Sequence, residues 1–206
     1  MPSRRAQHAR LNAGRRGLSG MTPFAPITQA LSDAEISARA ARIKLLVFDV
    51  DGVLTDGSLY LDDEGREIKA FFSLDGHGIK MLKKSGVDIA IITGRSSNLM
   101  RVRAKNLNID HLYQGAEDKL EAFTALSTQL GMATEQIAVM GDDVVDLPMM
   151  RRSGLSICVP AAPQSVKQYA HYATQLPGGK GAAREVCELI MRAQGTLDAQ
   201  LAPYLK

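Results

Sequence analysis

Apolar and polar positions along the chain alternate between two periods. Ile43 to Asp49 is an almost unbroken apolar run ending in an acid, the pattern of a strand buried on both faces. Val87 to Ile92, Ile137 to Met140 and Leu155 to Val159 repeat it, and His111 to Tyr113 reads as a shorter strand. Between these runs apolar residues recur at helical spacing. Ser32-Asp33-Ala34-Glu35 opens a short helix to about residue 42, and Asp75 caps one running to Lys84. Further helices are predicted over Ser97–Leu107, Lys119–Leu130, Leu147–Arg152, Ser165–Tyr169 and Ala182–Ala193. Gly57 to Phe72 breaks the rhythm. Leu59 and Leu61 alternate with polar neighbours, Asp62-Asp63-Glu64-Gly65 turns the chain, and Ile68 to Phe72 returns, which predicts a hairpin. Strands alternating with helices imply an α/β fold with a parallel sheet between helical layers.

Composition narrows the class. The 206 residues are 45% hydrophobic, enough for one domain with a substantial core, expected over residues 30–195 with a C-terminal tail at 196–206. The formal charge of +3 is misleading. Arg4, Arg5, Arg10, Arg15 and Arg16 stand in the first twenty residues with no acid, leaving a net −2 for the rest. That body gives no electrostatic footprint for nucleic acid, and with no tryptophan an aromatic base-stacking platform is not expected. Residues 1–25 are expected to form a disordered basic tail, or an over-extended start with Met21 as the alternative. No stretch has the length and hydropathy of a membrane span. Cys158 and Cys187 lie in apolar surroundings and read as reduced, buried thiols of a cytoplasmic protein.

In parallel sheets ligands bind outside the carboxyl ends of the strands. Those ends collect Asp49, Asp51, Thr93, Asp142, Asp143 and Asp146, with Lys119 opening a helix at the same edge. Asp49 and Asp51 leave one strand end two residues apart, and Gly52 lets the chain turn beside them. Crowded carboxylates call for a hard cation, and Mg²⁺ takes such oxygens together with substrate phosphate. The set holds no histidine, no serine triad and no cysteine nucleophile, which suits phosphoryl transfer. Chemistry then assigns roles. Asp49 is the nucleophile and Asp51 the acid-base. Asp49, Asp51 and Asp142 are the candidate metal ligands. Asp143 or Asp146 would hold metal waters or Lys119. Thr93 and Lys119 would bind phosphate oxygens, with the backbone at Gly52 and Gly94 completing the cradle. Arg95 is a candidate for a substrate carboxylate, or for a surface ion pair.

Asp49-Val50-Asp51-Gly52-Val53-Leu54-Thr55, Thr93-Gly94-Arg95, Lys119 and Gly141-Asp142-Asp143-Val144-Val145-Asp146 stand in the order of the four motifs of the haloacid-dehalogenase (HAD) phosphatase superfamily, which the chain resembles. Between Asp51 and Thr93 there is room for a hairpin and one helix but not for a cap domain. The chain is therefore similar to the capless 3-deoxy-D-manno-octulosonate 8-phosphate phosphatases. That likeness includes Lys69-Ala70-Phe71, Asp75-Gly76-His77-Gly78-Ile79 and Gly178-Gly179-Lys180-Gly181. It implies a Rossmann-like HAD fold and an Mg²⁺-dependent sugar-acid phosphatase of lipopolysaccharide biosynthesis. It also implies a homotetramer in which neighbouring subunits cover each site, and it makes Asp75 a candidate substrate ligand.

Other readings compete. The substrate could be another keto-acid sugar phosphate, such as a nine-carbon 9-phosphate. A non-catalytic HAD-like regulatory domain would keep the fold alone. A phospho-receiver module shares the aspartate, threonine and lysine but lacks a counterpart of Asp51. His77, His111, His171, Arg184 and the pair Met149-Met150 read as structural. Leu59, Tyr60, Leu61, Ile68, Phe71 and Phe72 are too many apolar groups for a free ribbon, so an oligomer follows from the hairpin itself.

Overall fold

The computed structural model describes residues 26–27 and 31–206, so the basic segment 1–25 lies outside the described residues. The chain opens on α1, Asp33–Ala40, where Ser32 and Glu35 form a reciprocal capping box. β1, Leu45–Phe48, follows, then the hairpin strands β2, Tyr60–Leu61, and β3, Glu67–Ile68. α2, Ser73–Lys84, leads to β4, Asp88–Thr93, and α3, Asn98–Asn106, to β5, His111–Gln114. α4, Lys119–Leu130, precedes β6, Ile137–Gly141, and α5, Leu147–Met150, precedes β7, Leu155–Cys158. α6, Gln164–Lys167, β8, Tyr172–Ala173, and α7, Ala182–Ala193, complete the domain.

Six strands form one parallel sheet in the order β5-β4-β1-β6-β7-β8. The chain runs from β1 outward to β4 and β5, then returns to β6 and runs outward the other way. The direction reverses between β1 and β6, the topological switch point where such sheets open a crevice. α1 and α2 pack on α7, and α4 packs on α5; the right-handed crossover rule sets these two groups on opposite faces of the sheet. β1 and β6 are fully buried, as their unbroken apolar runs require.

The insertion between β1 and β4 holds only the hairpin and α2. Asp62 shapes the hairpin turn by accepting from the backbone N–H of Glu64 and Arg66. Leu59, Tyr60, Leu61 and Ile68 are exposed as expected, whereas Phe71 is half-buried. Its ring packs on the core under the Arg103 guanidinium, 5.3 Å away.

Two expectations at helix ends need correction. α2 begins at Ser73 after an N-cap Phe72, so Asp75 lies inside the first turn rather than capping it. The segment 196–206, expected as a tail, carries α8, Leu197–Leu201, and a 3-10 turn at Ala202–Tyr204, with Leu197 buried. His77 meets the Tyr204 ring edge-on at 5.6 Å, a contact within this C-terminal packing.

Candidate active site

β4, β1 and β6 are neighbours, and their register pairs Phe48 with both Ile91 and Met140. Asp49, Thr93 and Asp142 therefore emerge level at one edge of the sheet. They line a cleft of about 450 Å³ with Asp51, Lys119 and Arg95. Gly52, at φ +93°, makes the turn beneath it, and a Cβ there would collide with the Asp142 carboxylate.

Lys119 is the centre of the charge arrangement. Asp118 caps α4 by accepting from Leu120 N–H and Glu121 N–H, which aims Lys119 back across the sheet edge. Its buried Nζ lies 2.8 Å from Asp49 Oδ1 and 2.7 Å from Asp146 Oδ1. Burial opposes the ammonium charge, yet the two carboxylates outweigh it and hold the Lys119 pKa above the ordinary lysine range. Asp146 is fully buried, and its other oxygen accepts from Asp142 N–H and Asp143 N–H at 3.0 and 3.2 Å. Asp146 thus orients both Lys119 and the acidic loop. Asp143 is exposed and turned to Val144 N–H, so of the two acids it is Asp146 that supports Lys119.

Asp49, Asp142 and Asp146 bring carboxylate oxygens within 4.8 Å of one another. Burial, reinforced by Asp146, pushes the Asp49 carboxyl up to about 6. Burial, reinforced by Asp49 and Asp146, pushes Asp142 up to about 7. Asp142 Oδ1 is buried and finds no hydrogen-bond partner among the described residues. A buried carboxylate oxygen without a donor beside two further acids fits a cation. With Asp146 committed to Lys119 and backbone N–H groups, Asp49 and Asp142 remain the carboxylates able to bind one.

Asp51 departs from its expected place among the metal ligands. Its carboxylate is not in the cluster, because Lys69 Nζ holds Oδ1 and Arg95 Nε stands 3.7 Å from Oδ2. Thr93 and Gly94 line the cleft as expected. Arg95 points its guanidinium at Glu67, 2.8 Å from Oε1. Asp75 is a second correction. It is buried, accepts from Gly181 N–H at 3.3 Å and Arg184 N–H at 2.8 Å, and does not line the cleft. Its carboxylate caps α7.

A haloacid dehalogenase-like hydrolase family model matches residues 111–185. A 3-deoxy-D-manno-octulosonate 8-phosphate phosphatase from Yersinia pestis is 48% identical over 164 residues, spanning 80% of this chain and 88% of that protein. The chain belongs to this phosphatase family. Two solved structures share the fold at closer to full length. A probable phosphatase from Pseudomonas syringae is 52% identical with a TM-score of 0.83, covering 84% of this chain and 98% of its own. The octulosonate phosphatase of Moraxella catarrhalis, which holds magnesium, phosphate and a KDO molecule, is 46% identical with a TM-score of 0.81, covering 82% and 98%.

In this member of the phosphatase family, sequence reasoning passed over Lys69 and Glu67 as site residues. The signal was present in outline. Glu67 and Lys69 are charged at alternate positions of a returning strand, with apolar Ile68 between them, so one face of the hairpin is polar. Which way that face turns follows only from how the hairpin folds back over β1.

Proposed function

We propose that the chain is an Mg²⁺-dependent phosphomonoesterase that converts 3-deoxy-D-manno-octulosonate 8-phosphate to the free sugar acid and phosphate. It would act in the cytoplasm, in lipopolysaccharide precursor synthesis. The observation that carries the reading is the buried Lys119 joined to Asp49, next to an Asp142 oxygen without a donor among the described residues, in a cleft shared with Asp51 and Thr93.

Each residue then has a step. Asp49 attacks phosphorus in line, the bond from phosphorus to the sugar oxygen breaks, and Asp51 gives that oxygen its proton. The aspartyl-phosphate is opened by water, which passes a proton to Asp51 as the Asp49 carboxylate is released. Thr93 and Lys119 hold the non-bridging oxygens, with backbone N–H groups near Gly52 and Gly94. Asp49 and Asp142 would hold Mg²⁺, which neutralises the clustered carboxylates and the phosphoryl charge when bound. The exposed apolar side of the hairpin supports a homotetramer in which a neighbour covers the open cleft.

The test is phosphate release from octulosonate 8-phosphate and from nine-carbon sugar-acid 9-phosphates, with Mg²⁺ and with EDTA. Turnover of the eight-carbon substrate that needs Mg²⁺ and falls by about 10³-fold or more in Asp49→Asn is expected. Equal turnover of both sugar acids would remove the substrate assignment, and release that survives EDTA would remove the metal.

A further inference from the structure

Asp51 is held by a charged chain that comes from the hairpin rather than from the sheet. Lys69 Nζ pairs with Asp51 Oδ1 and lies 3.2 Å from Glu67 Oε1. Glu67 Oε1 also accepts from Arg95 Nη2 at 2.8 Å, and Arg95 Nε closes the ring 3.7 Å from Asp51 Oδ2. Two acids and two bases balance. The Lys69 side chain is only 3% exposed, so this is not a solvated surface pair. A buried ammonium needs its carboxylates, and its bonds to them carry more weight than an exposed pair would.

The consequence for Asp51 is directional. Asp49, Asp142 and Asp146 crowd the sheet edge with negative charge. A free Asp51 carboxylate would swing away from them toward solvent. Lys69 fixes one oxygen, Oδ1, Arg95 Nε stands 3.7 Å from the other, and the residue so held lines the cleft. We infer that Lys69, itself held by Glu67, is a positioning residue that sets the orientation of Asp51 for proton delivery to the leaving oxygen. The inference rests on the reading of Asp51 as the acid-base given above. It reaches beyond that reading because it places part of the proton-transfer machinery on a two-stranded ribbon whose opposite face, at Ile68, is exposed.

Three substrates separate this role from its rivals. Octulosonate 8-phosphate needs a proton on its departing alkoxide and carries a carboxylate. Glycerol 2-phosphate needs the proton but has no carboxylate. 4-Nitrophenyl phosphate needs neither, because nitrophenolate leaves as an anion. The readout is kcat/KM with Mg²⁺, which reports the steps through phosphoryl transfer to Asp49. Asp51→Asn serves as the reference. Lys69→Met is expected to lose about 30-fold or more on both alkyl phosphates and less than about threefold on the nitrophenyl ester. Lys69→Arg should recover much of the loss. Glu67→Gln should repeat the same order of losses more weakly, and it stands in if Lys69→Met does not fold.

Equal losses on all three substrates would reduce Lys69 to a structural role and overturn the inference. A loss confined to the octulosonate, carried by KM, would make Lys69 a ligand of the substrate carboxylate and overturn it too. If Asp51→Asn itself shows no difference between alkyl and aryl esters, the acid-base reading fails and takes the inference with it. If Asp51→Asn shows the difference and Lys69→Met does not, only the inference falls.

Discussion

His171 shows how one side chain far from the cleft can set the acid limit of the fold. It is buried, and its Nδ1 accepts from Ser156 N–H at 2.9 Å, with Ser156 Oγ at 2.8 Å. A nitrogen that accepts an N–H cannot also carry a proton. Burial, with Arg39 adding to it, pushes the pKa down to about 4. Between about 6.5, the ordinary value, and about 4 the unfolded chain takes up a proton that the native chain does not. Stability from this group is therefore complete above the upper value and lost as pH falls toward the lower one. We expect a loss of about 1–3 kcal/mol over that window. Thermal melts from pH 7 to 4.5 should show it, and His171→Asn, which keeps an acceptor and loses the titration, should flatten the slope. An unchanged slope would place the acid sensitivity elsewhere. At the same scale, the placement of Asp49 and Asp51 at the cleft was legible because a strand end and a following glycine are local patterns. The choice of Asp146 over Asp143 as the partner of Lys119 was not, since it depends on which of two neighbouring carboxylates faces inward.

The capping of α7 is the clearest case at the level of elements. α7 starts after Gly181, at φ +116°, which has no side chain to offer its N-terminal amides. Asp75, from the adjoining α2, supplies the acceptor across 106 residues of sequence. Burial raises its pKa, and the N–H groups of Arg184 and Gly181 oppose that rise. Asp75→Ala leaves those amides without their acceptor, and urea unfolding should show a loss of about 1–3 kcal/mol. KM for the octulosonate phosphate should stay within about twofold. A tenfold rise in KM with stability unchanged would restore Asp75 to the substrate. Element order and most boundaries could be read from periodicity, and Lys119–Leu130 and Ala182–Ala193 match the observed helices end to end. What could not be read was any contact that local spacing does not encode. The Asp75 cap is one such contact, and the burial of Leu197, which keeps the last segment on the core, is another.

For the whole molecule the open question is what closes the cleft. The insertion between β1 and β4 covers Asp51 with Glu67 and Lys69, while Tyr60 and Ile68, paired across the ribbon on its other face, are exposed at 47% and 64%. A two-stranded ribbon of this kind is marginal in water by itself, and its apolar side gains by meeting a second apolar surface. Copies of the chain offer that surface to one another, because every copy presents the same face. Tyr60→Asp combined with Ile68→Asp, two residues paired across the ribbon, would set charges into such a contact while leaving Glu67 and Lys69 in place. Light scattering coupled to gel filtration at about 10 µM should then show the natural chain as an oligomer and the double variant as a smaller species. If a neighbour also shields the sugar acid, the variant should lose about tenfold in kcat/KM on octulosonate 8-phosphate. A small ester such as 4-nitrophenyl phosphate, which does not reach the rim, should be hydrolysed nearly as before. A natural chain that runs as a monomer at that concentration would refute association through the hairpin. An oligomer that survives the two aspartates would move the contact to another face.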